Sequence, residues 1–293
     1  MTQQDCLRRF LFEEAGARGV WVRLQHSLQD AKQHQSLPND AVDAQFGQAL
    51  AAVVLLSATI KFKGAMILQV QGGGDLRALV AQSSNERRIR GLVRSQPEVD
   101  GETLREMVGN GGRLVLTVES DSGEPYQGIV AFTEDSLAEV LTTYFRQSEQ
   151  LDTRLWLFAS NTHAAGLLLQ ALPGESADKA DWERLEILAG TVTADELLGL
   201  DCEDILHRLF HEEQVRLYEA EPVAFQCSCS RQKIAGTLSA LGRSELEAIL
   251  RERDDIEVDC QFCGAQYRYD KVDVEHLLNN SAVDSGLPSP TRH

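Results

Sequence analysis

Four of the six cysteines in this 293-residue chain fall into two close pairs, Cys227-Ser228-Cys229 and Cys260-Gln261-Phe262-Cys263, with 30 residues between the pairs. That pattern constrains the fold more than any other feature. Four thiolates drawn from two short-range pairs make the closed tetrahedral set of a structural zinc site, and short spacing within each pair keeps the entropy of gathering them small. The spacing predicts one Zn²⁺ per chain, held by Cys227, Cys229, Cys260 and Cys263. A module of about 55 residues around them has too little apolar material to stand without such a staple, so metal binding supplies much of its folding free energy. Gly264, directly after Cys263, leaves room for a knuckle backbone to turn back toward the sulfurs.

Two readings of such a centre stay open on spacing alone. One is a passive clip. The other is a redox switch: zinc thiolates are already the nucleophilic species toward peroxide or hypochlorite, and their oxidation would eject the metal and unfold the module. Paired ligands in structural sites are usually separated by two to four residues, whereas one residue separates Cys227 from Cys229. A bridge between those two closes a strained ring, and strained disulfides are the labile ones. Cys260 and Cys263 close a ring more easily.

Nothing else in the sequence competes as a site. Cys6 and Cys202 stand alone and read as small buried hydrophobes. His207 and His211 have i, i+4 spacing, but the stretch lacks the metalloprotease motif and reads as a solvated helix face. Gly72-Gly73-Gly74-Asp75 lacks the Lys-Ser/Thr of a phosphate loop, and no nucleophile elbow or acid–base pair is present; the chain does not read as an enzyme. With 43% hydrophobic and 25% charged residues, the composition is that of an ordinary globular protein with a core to bury. The longest apolar run, Ala49 to Leu56, is far too short to span a bilayer, and the N-terminus has no signal-peptide pattern, so a cytoplasmic location is expected.

Charge and punctuation divide the chain. The net charge of −17 is concentrated: residues 1–174 carry −4, residues 175–221 carry −10 and residues 222–293 carry −3. No segment has the basic excess that phosphate contact needs. Up to about Gly174, strand-like runs at Val20–Leu24, Ala65–Val70, Arg113–Val118 and Arg154–Phe158 are separated by Gly-rich turns, with helices expected from Asn39 to about Ile60 and from about Asp135 to Ser148. This predicts an α+β core with an antiparallel sheet and packed helices over 1–174. An acidic helical linker follows over 175–222. Thr193-Ala194-Asp195-Glu196 is a capping box, and Leu206, Leu209, Phe210 and Leu217 form one apolar stripe along a helix expected from Glu203 to Glu219. A helix with so little other apolar content depends on docking. The zinc module is expected over 223–279, with a helix capped by Ser230, a second opened by a capping box at Ser244–Glu247, a strand at Tyr267–Tyr269 and a last helix over Val274–Leu278. Residues 280–293 read as a disordered tail.

The order of several blocks resembles the heat-shock protein 33 (HslO) family of redox-regulated chaperones. Cys227-Ser-Cys229-Ser230-Arg231 and Cys260-Gln-Phe-Cys263-Gly264, with Tyr267 beyond, are similar to that family's zinc centre. Gly72-Gly73-Gly74-Asp75-Leu76, Gly109-Asn110-Gly111-Gly112, Tyr126-Gln127-Gly128-Ile129-Val130, Tyr144-Phe145-Arg146-Gln147-Ser148-Glu149-Gln150 and Ala165 to Pro173 resemble its core landmarks in the same order. Gln232 and Lys233 depart from a more acidic stretch. The resemblance implies an ATP-independent holdase of the bacterial cytosol, monomeric, zinc-bound and inactive when reduced. Oxidation in that family pairs neighbouring cysteines, here Cys227–Cys229 and Cys260–Cys263, releases zinc, unfolds the linker and permits a homodimer. Unfolding client proteins are then held until ATP-dependent refolding chaperones take them. Leu206, Leu209 and Phe210, with the core surface beneath them, are the expected client contacts, and the acidic block would keep the opened protein from self-association. Two other classes use the same cysteines: a zinc-ribbon nucleic-acid binder, opposed by the module's negative charge, and a thiol–disulfide oxidoreductase working through Cys260 and Cys263, opposed by the lack of a thioredoxin-like βαβ context.

Overall fold

The Ala-, Val- and Leu-rich stretch after Asn39 becomes the helix around which the larger part of the chain is built. In the computed structural model, which describes residues 5–120, 123–173 and 179–283, this segment follows a hairpin of β1 (Cys6–Phe12) and β2 (Ala17–Leu24) and a short helix α1 (His26–Lys32). The helix itself, α2 (Asp40–Ser57), starts where the Asn39 side chain accepts the Val42 N–H. Twelve of its 18 residues are buried, as expected of a helix that is apolar on every side. Three strands come next, β3 (Gly64–Gln71), β4 (Leu76–Ser84) and β5 (Arg88–Ser95), then α3 (Leu104–Val108), β6 (Arg113–Ser120) and β7 (Tyr126–Ala131). Helix α4 (Leu137–Tyr144) opens on a capping box between Ser136 and Glu139 and passes into one π turn, Phe145–Glu149, closed by Gln150 in the left-handed region at φ 53°. Strands β8 (Thr153–Ala159) and β9 (Ala164–Ala171) complete the residues expected to form the core.

Two six-stranded sheets result. One runs β10-β1-β2-β9-β8, with β11 also on β1, and the other runs β12-β5-β4-β3-β6-β7, where β10 is Val215–Leu217, β11 is Glu221–Pro222 and β12 is Ala224–Phe225. Every pairing is antiparallel except that of β12 with β5. Helix α2 touches β2, β8 and β9 of the first sheet and β3, β4 and β5 of the second, so the main core lies around it between the sheets. The expected α+β class with antiparallel sheets and packed helices is what forms.

The first sheet is buried on both faces. Val20, Val22, Leu24 and Leu168 face the α2 core, while the alternate residues Trp21, Leu167 and Leu169, with Phe10 and Phe12, form a second cluster. That two-sided burial is why β9 is apolar along nearly its whole length. The second cluster is covered by helices α5 (Lys179–Ala189), α6 (Ala194–Gly199) and α7 (Cys202–Phe210). The Thr193–Glu196 capping box forms at the start of α6 as the sequence predicts. The helix expected from Glu203 to Glu219, by contrast, ends at Phe210, and Leu217 lies on β10 opposite Phe10. Backbone pairing with the edge of β1 outcompetes helix continuation there, so Leu217 reaches the same cluster from a strand.

The chain divides between Gln226 and Cys227 into two compact units. The second contains α8 (Arg231–Leu241), α9 (Arg243–Glu252), a hairpin of β13 (Asp255–Asp259) and β14 (Gln266–Asp270), and α10 (Lys271–Val283). Ser230 caps α8 by accepting the Lys233 N–H at 3.2 Å. The capping box expected at Ser244–Glu247 does not form: Gly242, at φ 86°, reverses the chain so that α9 already begins at Arg243, placing Ser244 inside the first turn. Helix α10 runs past Leu278 to Val283, and residues 284–293 of the expected tail lie outside the described residues. No helix among the described residues is long and apolar enough to cross a membrane.

Candidate metal centre

The two cysteine pairs reach one point by different routes. Cys227 and Cys229 lie on an irregular segment just before α8, whereas Cys260 to Cys263 form the tip between β13 and β14. The tip is a tight knuckle: Cys263 and Gly264 donate their N–H groups to the Cys260 carbonyl at 3.3 and 2.7 Å, and Cys260 donates to the Ala265 carbonyl at 2.9 Å. Gly264 takes φ 68°, a conformation glycine adopts without steric cost, as its place in the sequence suggests. Cys227 Sγ lies 3.7 Å from Cys260 Sγ and Cys229 Sγ lies 3.4 Å from Cys263 Sγ. All four sulfurs are within 4.8 Å of one another. A Zn–S bond of about 2.3 Å implies a tetrahedral edge of about 3.8 Å, so the donor set and its spacing fit a tetrahedral thiolate site for a soft or borderline cation, zinc among them.

The electrostatics of the cluster ask for that cation. Burial, with the crowding of neighbouring thiols, pushes the Cys263 thiol up to about 12 and raises Cys260 as well. The knuckle works the other way, since the N–H groups of Phe262 and Cys263 point at the Cys260 sulfur and that of Ala265 at Cys263. Backbone donors are therefore in place for thiolates, but burial and crowding keep the Cys260 and Cys263 thiols protonated until positive charge is supplied beside them. Tyr267, on β14, donates its hydroxyl to Cys229 Sγ at 3.1 Å, and that bond pushes the phenol up to about 12. Were the four sulfurs to hold a cation, this contact would orient Cys229 from outside the donor set; Tyr267 is visible in the sequence, but its sulfur partner is not.

The frame holding the pairs is small. Ala235, Leu238, Leu246, Ile256, Tyr269 and Val274 supply most of its buried apolar side chains. Arg231 ties α8 to the hairpin, donating to the Arg268 carbonyl at 2.8 Å and to Asp273 at 2.7 Å, while its guanidinium lies 4.4 Å from the centre of the Tyr269 ring. Tyr269 in turn donates its hydroxyl to the Arg231 carbonyl at 2.7 Å.

A family model described as Hsp33 protein matches residues 5–270. The chain belongs to the Hsp33 family. Among Hsp33 relatives, a protein of Nitrosococcus oceani named 33 kDa chaperonin is 52% identical over the full length of both chains. One of the same name from Hahella chejuensis is 43% identical over 95% of this chain and 99% of its own. The crystal structure of an Hsp33 homologue, the 33 kDa chaperonin of Thermotoga maritima, shares the fold, with a TM-score of 0.79 at 23% identity over 96% of this chain and 100% of that one.

The other residues singled out in the sequence fall elsewhere. Leu206, Leu209 and Phe210 belong to the first unit, buried on α7 against the aromatic cluster, with the Phe210 ring edge-on to Phe12 at 4.9 Å. Cys202 and Cys6 are buried in the same cluster, where burial raises both thiols. His207 and His211 are exposed with rings 6.1 Å apart, and among the described residues only the four paired cysteines form a metal-competent group. Sequence reasoning missed the arginines that hold the acidic segment: Arg23 reaches Asp201 at 2.6 Å and the Leu200 carbonyl at 3.0 Å, and Arg8 pairs with Glu203.

Proposed function

We propose that this Hsp33-family chain is an ATP-independent, redox-regulated holdase of the bacterial cytoplasm. The gathering of four sulfurs within 4.8 Å of one another, in a unit with a small apolar core, carries this reading. In the reduced monomer Cys227, Cys229, Cys260 and Cys263 hold one Zn²⁺, whose binding adds folding free energy that the module lacks. Functionally the chain then divides into a core over 1–174, a linker over 175–222, a zinc module over 223–279 and a tail over 280–293.

Oxidation removes the donors. With hydrogen peroxide, one thiolate of a pair attacks a peroxide oxygen and hydroxide leaves; its partner thiol then displaces water from the sulfenic acid, so each disulfide formed passes two electrons to one peroxide, which ends as two waters. Cys227 pairs with Cys229 and Cys260 with Cys263 in this scheme. The within-pair assignment rests on the likeness to the family, because the shortest sulfur approaches, 3.7 and 3.4 Å, run across the pairs. Loss of the metal unfolds the module, the linker follows, and the apolar surface under α5–α7, together with Leu206, Leu209 and Phe210, takes up unfolding clients. The oxidised protein dimerises and passes its clients to ATP-dependent refolding chaperones.

Zinc release to a chromogenic chelator, free-thiol counting and suppression of client aggregation, followed together after peroxide at raised temperature, test the scheme. One zinc lost as four thiols disappear, with holdase activity rising on the same time course, is the expected result. Zinc that stays bound, or leaves without activity, makes the centre a passive clip. Peptide mapping that found a Cys227–Cys260 bridge would overturn the pairing.

A further inference from the structure

Several sequence landmarks take no part in the cysteine chemistry, and three of them converge on one cavity in the first unit. It measures about 340 Å³, within the range of small-molecule sites. Its walls are mainly apolar, with Leu56, Met66, Leu116 and Phe145 among them. The Tyr144–Gln150 block makes one side. Tyr144 and Tyr126 both donate their hydroxyls to Glu149 Oε1, at 2.9 and 3.2 Å, which the π turn brings within reach. Gly128 belongs to the same device, because a Cβ there would sit 2.6 Å from the Tyr144 ring.

Arg18 on β2 lies at the cavity wall and is half-buried. Its Nε and Nη2 donate to Gln170 Oε1 at 3.1 and 2.5 Å, and Nη2 also donates to the Thr59 carbonyl at 2.7 Å. Gln170 is held in turn by donating to Thr153 Oγ1 at 2.9 Å. Among the described residues no carboxylate pairs with Arg18; burial and then the charge of Arg9 both act against its guanidinium. A partly buried cation without a counter-ion at an apolar wall is costly unless something negative joins it. Glu149 is exposed, with one oxygen occupied by the two phenols.

We infer that this cavity is a binding site for a monocarboxylate with an unbranched apolar tail, its carboxylate on Arg18 and its tail along the Leu56–Met66–Leu116 wall. A volume of that order takes an alkyl chain of medium length with its headgroup. This goes beyond the chaperone reading and involves none of the four cysteines.

The test is isothermal titration of the full-length reduced protein with decanoate below its micellar range, beside decan-1-ol and decyltrimethylammonium. Decanoate is expected to bind one per chain, about tenfold or more tighter than either of the others, as charge-assisted hydrogen bonding to Arg18 requires. Arg18→Gln should weaken decanoate about tenfold while leaving decan-1-ol unchanged. Ile60→Trp, a change at a half-exposed rim residue that threatens the fold least, should weaken decanoate and decan-1-ol together. Absence of saturable decanoate binding up to 1 mM would overturn the inference, with about millimolar affinity taken as the weakest useful site. So would decyltrimethylammonium binding as tightly as decanoate, or decanoate binding indifferent to both substitutions.

Discussion

Replacing Phe210 with alanine probes how firmly the acidic helices are seated. Phe210 is 2% exposed and closes an aromatic triad, 4.9 Å from Phe12 and 6.5 Å from Phe10 between ring centres. Truncating a buried phenylalanine costs about 3–5 kcal/mol through lost transfer free energy and the cavity left behind. Because the ring's contacts are with β1 and its own helix cluster, the loss falls on the local equilibrium in which α7 lifts from the first sheet. At ~1.4 kcal/mol per decade, amide exchange of residues in α7 should accelerate by about two to three and a half decades in the reduced F210A protein, measured by hydrogen exchange under conditions where exchange follows the opening equilibrium. Amides of α2, between the sheets, should change little. An acceleration below tenfold in α7, or an equal one in α2, would refute the reasoning: the first would mean that the triad does not seat the helix, the second that α7 opens only with the whole unit.

The remaining predictions concern charge and the metal centre. Asp201→Asn should speed limited proteolysis of the 179–225 segment about fivefold, because a charge-assisted bond to the nearly buried Arg23 is worth about 1 kcal/mol after allowance for the half-exposed Asp201 partner. Tyr267→Phe should hasten zinc transfer to a competing chelator by roughly three- to tenfold, the equivalent of one hydrogen bond, with the secondary structure unchanged by circular dichroism. Apparent zinc affinity should rise with pH between 6 and 8: the thiols of Cys260 and Cys263 are raised above their ordinary value, so both are protonated without metal and must release their protons on binding. Competition titrations should therefore show at least about two decades per pH unit, weakening as pH falls, and a flat profile would mean that these two sulfurs do not ligate. Stripping the metal from the reduced protein with a chelator should unfold the second unit, seen as loss of exchange protection over residues 231–278, while α2 stays protected.

The sequence disclosed what was local and hid what depended on distant partners. The cysteine set was legible because each pair is close in the chain and Gly264 marks the turn between backbone and sulfur. The strands at Val20, Ala65, Arg113 and Arg154 were legible from their own composition, as was α2 from its apolar run. Leu217 misled because it continues the period of Leu206 and Phe210, whereas its strand exists through pairing with Phe10, over 200 residues away in sequence. Ser244 and Glu247 had the right spacing for a cap, but the positive φ of Gly242 set the helix start before them. Neither the Tyr267 hydroxyl on Cys229 nor the Arg23 clamp on Asp201 has a local signal, since each joins elements whose neighbourhood is decided by packing.

The stretch 215–225 has a place in the architecture out of proportion to its length. Strands β10 and β11 cover the outer edge of β1, and β12, with Ala224 donating to the Arg87 carbonyl at 3.2 Å and Gln226 to that of Ile89 at 3.0 Å, finishes the edge of β5. One short ribbon directly before Cys227 thus lies along one edge of each sheet. Peeling it away would leave two rows of main-chain donors and acceptors without neighbours. Such rows accept any extended strand that can hydrogen-bond along them, whatever its side chains, so the same movement that bared apolar surface would also open two templates indifferent to sequence.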